Sequence, residues 1–120
     1  MKVEIHKINE IKIAEIIADD VIIKTAEDVL DLLGNLYEYD VDRIIIEEKN
    51  LSADFFDLKN GIAGEILQKF SNYRVKLAIV GHFSKFTSKS LKDFIYESNK
   101  TKQINFTDST TDALKILSYK

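Results

Sequence analysis

A chain of 120 residues with 45% hydrophobic and 31% charged residues suits one globular domain, since single domains commonly span roughly 100–150 residues. The absence of cysteine excludes disulfides, thiolate nucleophiles, iron–sulfur clusters and Cys-ligated zinc together. No apolar run reaches the ~20 residues of a membrane helix. The charged opening MKVEIHKINE carries no signal segment, so a cytoplasmic location without a membrane partner is expected.

The net charge of −3 is unevenly spread: residues 1–60 hold 7 Lys/Arg against 15 Asp/Glu, and residues 61–120 hold 10 against 5. Such asymmetry can mark a partner surface, although a solvated face on each half is the plainer reading. The basic segment containing Lys85, Lys89, Lys92, Lys100 and Lys102 is interrupted by Asp93 and Glu97, and the only arginines are Arg43 and Arg74. Nucleic-acid recognition calls for a denser, arginine-richer patch and is not expected.

In chain order, VEIHKI and IKIAEII alternate apolar and polar residues around Asn9-Glu10, predicting a hairpin of strands 2–8 and 11–17. The alternation puts Val3 and Ile5 on one face and Lys2, Glu4 and His6 on the other. DDVIIK reads as a turn and then a short strand or irregular segment. Thr25 with Asp28 three residues on predicts a capped helix over about 26–38. Its apolar stripe is Ala26, Val29, Leu30, Leu33, Leu36 and Tyr37.

RIIIEE is a continuous apolar run ending in charge, as expected of a strand covered on both faces. LKNGIAGEILQKFSN predicts a helix with Ile62, Ala63, Ile66, Leu67 and Phe70 inward, and VKLAIVG another buried strand. SKSLKDFIYESN reads as a helix with Leu91, Phe94 and Ile95 inward, and QINF as a short strand. Ser109 and Asp112 cap a last helix, in which Ala113, Leu114 and Leu117 face the core. The resulting fold class is α/β, a single domain over residues 1–120 in the order β-β-α-β-α-β-α-β-α. Its sheet is mixed but mostly parallel, with an N-terminal antiparallel hairpin.

Open α/β sheets bind ligands at the carboxyl ends of their parallel strands, which selects EEKNLSADFFDLKNG, GHFSKFTSKS and FTDSTT. Tyr73 and Arg74 fall at the opposite end and read as structural. Glu47, Glu48, Asp54 and Asp57 could offer oxygens to a hard cation, but their spacing is not that of a calcium loop and solvation is the simpler reading. NGIAG matches neither the dinucleotide nor the P-loop pattern. Gly61 and Gly64, three apart, are expected to let a helix approach the sheet, the alternative being a helix start whose N–H groups receive an anion. Phe55 and Phe56 are expected to pack in the core; a ring left partly exposed would suit a protein contact. His82, Ser84 and Lys85 follow a strand end without a G-x-S-x-G turn, so His82 reads as a surface residue.

The stretches IKIAEII, FFDLKNGIAGEILQKFSNYRVKLAIVG, SKSLKDFIYESNK and QINF resemble the bacterial domain-of-unknown-function family numbered 4180 across nearly the whole chain. The element order is also similar to that of STAS domains, of the anti-sigma-factor-antagonist type. That second resemblance implies a partner-binding protein, often switched by phosphorylation of a serine between the third strand and its helix. In this sequence the matching loop is DLKNG, where Asp57 and Gly61 fit, Lys59 or Asn60 stands near the acceptor position, and no serine is present; Ser52 lies earlier in the same connection.

The reading is a non-enzymatic interaction module with an unidentified protein partner and a possible homodimer. The alternative is an anionic-ligand site or an enzyme. The residues concerned are Glu48, Phe55, Phe56, Asp57, Lys59, Asn60, Gly61, His82, Ser84 and Lys85. No catalytic set, metal site or cofactor is assigned.

Overall fold

The computed structural model describes residues 1–119, so only Lys120 of the expected 1–120 domain lies outside the described residues. Strands β1 (Lys2–Ile8) and β2 (Ile11–Ile17) form the expected antiparallel hairpin. Asn9 and Glu10 both turn at positive φ, 53° and 67°, the geometry that matches the twist of paired strands.

Next come α1 (Ala26–Leu36), β3 (Arg43–Glu47), α2 (Ile62–Asn72), β4 (Lys76–Val80), α3 (Lys89–Thr101), β5 (Ile104–Thr107) and α4 (Thr110–Leu117). The five strands lie in sequence order, β1-β2-β3-β4-β5, with every pairing after the first parallel. The order and sheet type follow the expectation.

The period-2 geometry of the strands divides the core. Ala14, Ile16, Ile44, Ile46, Leu77, Ile79, Ile104 and Phe106 point to one face, where α1 and α2 bury Val29, Leu32, Leu36, Ile66 and Phe70. Phe94 and Ile95 of α3 join the same layer. Ile13, Ile45 and Ala78 point to the other face and meet Ala113 and Leu117 of α4. Two-sided cover explains the unbroken apolar run of β3.

Two apolar assignments in α1 are corrected. Leu30 and Tyr37 are exposed, Tyr37 at 86%, while Leu32 is buried. The helix ends at Leu36 and a short 3-10 turn follows, so Tyr37 no longer belongs to the inward stripe. The cap at its start is as expected: Thr25 Oγ1 accepts from Asp28 N–H, and Asp28 Oδ2 accepts from Thr25 N–H.

Arg43, at the start of β3, ties the end of the chain to the sheet. Its guanidinium Nη1 donates to the carbonyls of Leu117 and Tyr119, both at 2.6 Å. A cation against the last carbonyls of a helix also opposes the partial negative charge there.

Hydrogen bonds to charged groups contribute about 1.5–3 kcal/mol, so Arg43→Met should lower unfolding stability in urea by about 2 kcal/mol. A loss under about 0.5 kcal/mol would show that the guanidinium does not hold this end. Glu10→Gly should raise stability by about 0.5–1 kcal/mol in the same assay, because glycine adopts positive φ without strain.

Candidate functional site

The connection from β3 to α2 is not an irregular loop. It consists of three 3-10 turns, Glu48–Asn50, Ala53–Phe56 and Leu58–Asn60. Fully buried Asn50 organises the first of them. Its Nδ2 donates to the carbonyls of Ala18 (2.9 Å) and Asp20 (3.0 Å), and its Oδ1 accepts from Glu47 N–H (3.0 Å). Its own carbonyl accepts from Ile22 and Ile23 N–H, and Ile23 forms a parallel bridge with Leu51. The short segment after β2 is thereby fastened beside the connection.

Glu48 spans the gap between the ends of β3 and β4. Its Oε1 accepts from His82 N–H at 3.3 Å and its Oε2 pairs with Lys85 Nζ, with the carboxylate side chain only 16% exposed. Gly81 makes this approach possible: a Cβ there would stand 2.7 Å from Glu48 Cβ. That position, rather than Gly61 or Gly64, is the close-approach glycine.

A Cβ on Gly64 would meet nothing within 4 Å, which corrects its expected role in helix packing. Gly61 has φ +75° and precedes the helix as its cap, so its glycine character serves a left-handed turn. The helix therefore begins at Ile62, later than the sequence pattern suggested. Asn60 closes the turn: its Nδ2 donates to Asp54 O (3.0 Å) and its Oδ1 accepts from Ile62 N–H (2.9 Å). The first N–H of the helix is thus already occupied.

The aromatic residues make a continuous layer. Phe55 is fully buried, as expected. Phe56 is half-buried and packs against the main core from its edge. It stacks on Phe86 with ring centroids 4.9 Å apart and planes 17° apart. Lys85 Nζ lies 5.4 Å from the Phe86 centroid, a cation–π distance. Behind them Phe83 meets Phe106 edge-on at 5.2 Å. Asp57 and Lys59 are exposed at the rim.

His82 and Ser84 lie on the other side of this clamp. They line a groove with Asp108, Asp112 and Lys115, at the ends of β4 and β5 and the start of α4. Asp57 lines neither of the grooves that include His82, so the structure does not bring this candidate pair together. Glu48 meets His82 through the backbone N–H and not through the imidazole.

Asn50, Gly81, Phe83 and Phe86 escaped the sequence reading. The phenylalanine spacing in HFSKF offered a faint signal, since residues three apart share a side of a tight turn. Asn50 offered none, as a lone Asn after charged residues looks like any turn.

The model of the family described as Domain of unknown function (DUF4180) matches residues 8–117. The chain belongs to that family. The match runs from the end of β1 to the end of α4 and so includes the β3–α2 connection and both candidate grooves. No curated protein and no solved structure matches the chain.

The two glycines separate the roles assigned to them. Gly81→Ala should destabilise by about 1–3 kcal/mol, the usual cost of overpacking. Gly64→Ala, inside a helix and facing open space, should stabilise by up to about 1 kcal/mol. Equal effects in urea unfolding would contradict both assignments.

Proposed function

We propose that the protein is a non-enzymatic interaction module that presents the β3–α2 connection and the turn after β4 as one docking surface for a protein partner. The observation that carries this reading is the stacked Phe56–Phe86 pair above the ends of β3 and β4. Both rings are half-buried. Together with Glu48, Leu51 and Lys85 they line an open groove at the strand ends, where a sheet of this type meets its ligands. An aromatic centre with a polar rim is the arrangement that interface hot spots favour.

The surface is held rigid before any partner arrives. Asn50, Asn60 and the Glu48–Lys85 pair fix its backbone and close its gap. Preorganisation of this kind lowers the entropy lost on binding. Asp57, Lys59 and Asn60 are exposed around the rings and would supply orientation through charge and hydrogen bonds. The order of elements, similar to that of STAS domains, is compatible with partner binding and adds no phospho-acceptor serine to DLKNG. No helix is long and apolar enough to cross a membrane among the described residues.

The alternative, an anionic ligand at the strand ends, draws less support from the groove beside His82. Asp108 and Asp112 line that groove together with Lys115, and two carboxylates oppose an anion.

A pull-down from native extract should lose its partner when Phe56→Ala is combined with Lys59→Glu. Truncating a hot-spot residue commonly costs 2 kcal/mol or more, on the order of thirtyfold in affinity. Circular dichroism must show the variant folded. Equal recovery of every partner by the folded variant would remove this surface from consideration.

A further inference from the structure

The two edges of the sheet are finished differently. At the β5 edge, Asn99 of α3 acts as a substitute strand: its Oδ1 accepts from Phe106 N–H at 2.7 Å and its Nδ2 donates to Phe106 O at 3.4 Å. At the other edge, β1 pairs with β2 alone along seven residues. Among the described residues, no side chain hydrogen-bonds to the backbone of β1. An edge strand of that length offers unpaired N–H and C=O groups to another strand.

We propose that β1 pairs with β1 of a second copy of this chain, antiparallel and centred on Ile5, to give a symmetric dimer with one continuous sheet. Charge complementarity along β1 favours this occupant. Directly opposite residues in an antiparallel pair share a face, and a twofold axis perpendicular to the sheet runs midway between one residue and its own copy. Centring on Ile5 places Glu4 opposite His6 of the second copy, twice by symmetry, and Lys2 opposite Ile8.

The neighbouring registers are poorer. Centring on Glu4 sets two carboxylates face to face and Lys2 against His6, and centring on His6 sets the imidazoles together. Like charges directly opposite are destabilising, whereas opposite charges stabilise a cross-strand pair.

The environment of Glu4 within one chain supports the same register. Its direct partner on β2 is Glu15, another carboxylate. Glu15 already holds His6, with Nε2 to Oε1 at 2.8 Å, and the ligand atoms of Glu4, His6 and Glu15 lie within 4.8 Å of one another. Among the described residues, the only cation paired with Glu4 is exposed Lys2, at 3.6 Å. An imidazole from a second copy supplies what this side chain lacks. On the opposite face the axis brings together two copies of Ile5, a residue left 39% exposed in the single chain.

Absence of cysteine from the sequence permits a direct test of mass and register. Wild type should show twice the chain mass of 13.8 kDa in light scattering at high micromolar concentration. Opposite Cα atoms in an antiparallel pair are about 4.5–5.5 Å apart, inside the disulfide range. Ile5→Cys should therefore become a disulfide-linked dimer on mild oxidation. In Lys2→Cys the two thiols would sit on the order of 20 Å apart, so cross-linking should be at least about tenfold slower.

Both variants, when reduced, should keep the wild-type circular dichroism spectrum, because Lys2 and Ile5 are exposed in the single chain. A wild-type chain of monomer mass would overturn the proposal, the charged side chains then serving to blunt the edge. A dimer in which Lys2→Cys cross-links as fast as Ile5→Cys would overturn it too.

Discussion

The buried carboxamide of Asn50 is the joint on which the candidate site depends. It takes no solvent and satisfies three backbone groups from two separate segments. A buried polar side chain is tolerable only when its donors and acceptors are met. Here that requirement holds the exit of β2 and the exit of β3 in one arrangement. Once they are fixed, Glu48 is placed to reach across to the backbone of His82 and to Lys85. Gly81 leaves the room for it. The aromatic pair then has a floor on which to stack.

The two faces of the sheet carry unequal duties. Among the described residues, α1, α2 and α3 cover one face and α4 alone covers the other, anchored at its far end by Arg43. The uncovered part of the second face lies toward β1 and carries Lys2, Glu4, His6 and Glu15. This is where the acidic half of the chain shows a structured charge arrangement, remote from the basic helix α3. The charge asymmetry between the halves is thus spread over different elements.

The candidate site was legible in its location and only partly in its parts. The rule that ligands meet the carboxyl ends of parallel strands selects the connections after RIIIE and KLAIV, and the parallel pairing of these strands sets those two connections side by side. Phe56, Lys59 and Asn60 are among the candidates that the sequence offers, and all three sit in the ordered connection. Glu48 reads from the sequence as a polar group toward a ligand, and its carboxylate accepts from His82 N–H and pairs with Lys85. Gly61 and Gly64 misled because their spacing matched a helix face, whereas Gly61 belongs to the preceding turn. Positive φ leaves no periodic trace in a sequence.

Local chemistry alone determined the elements of this protein. Alternation marked the hairpin, unbroken isoleucines marked a strand covered on both sides, and Thr25 and Ser109 marked helix starts. These features act between residues a few positions apart, so their pattern survives in one dimension. Tertiary structure alone decided which glycine admits a neighbouring side chain and which asparagine is buried. It also decided that Phe56 stacks on a ring thirty positions away. Those contacts join segments distant in the chain, and nothing in either segment specifies its partner until the sheet brings their ends together.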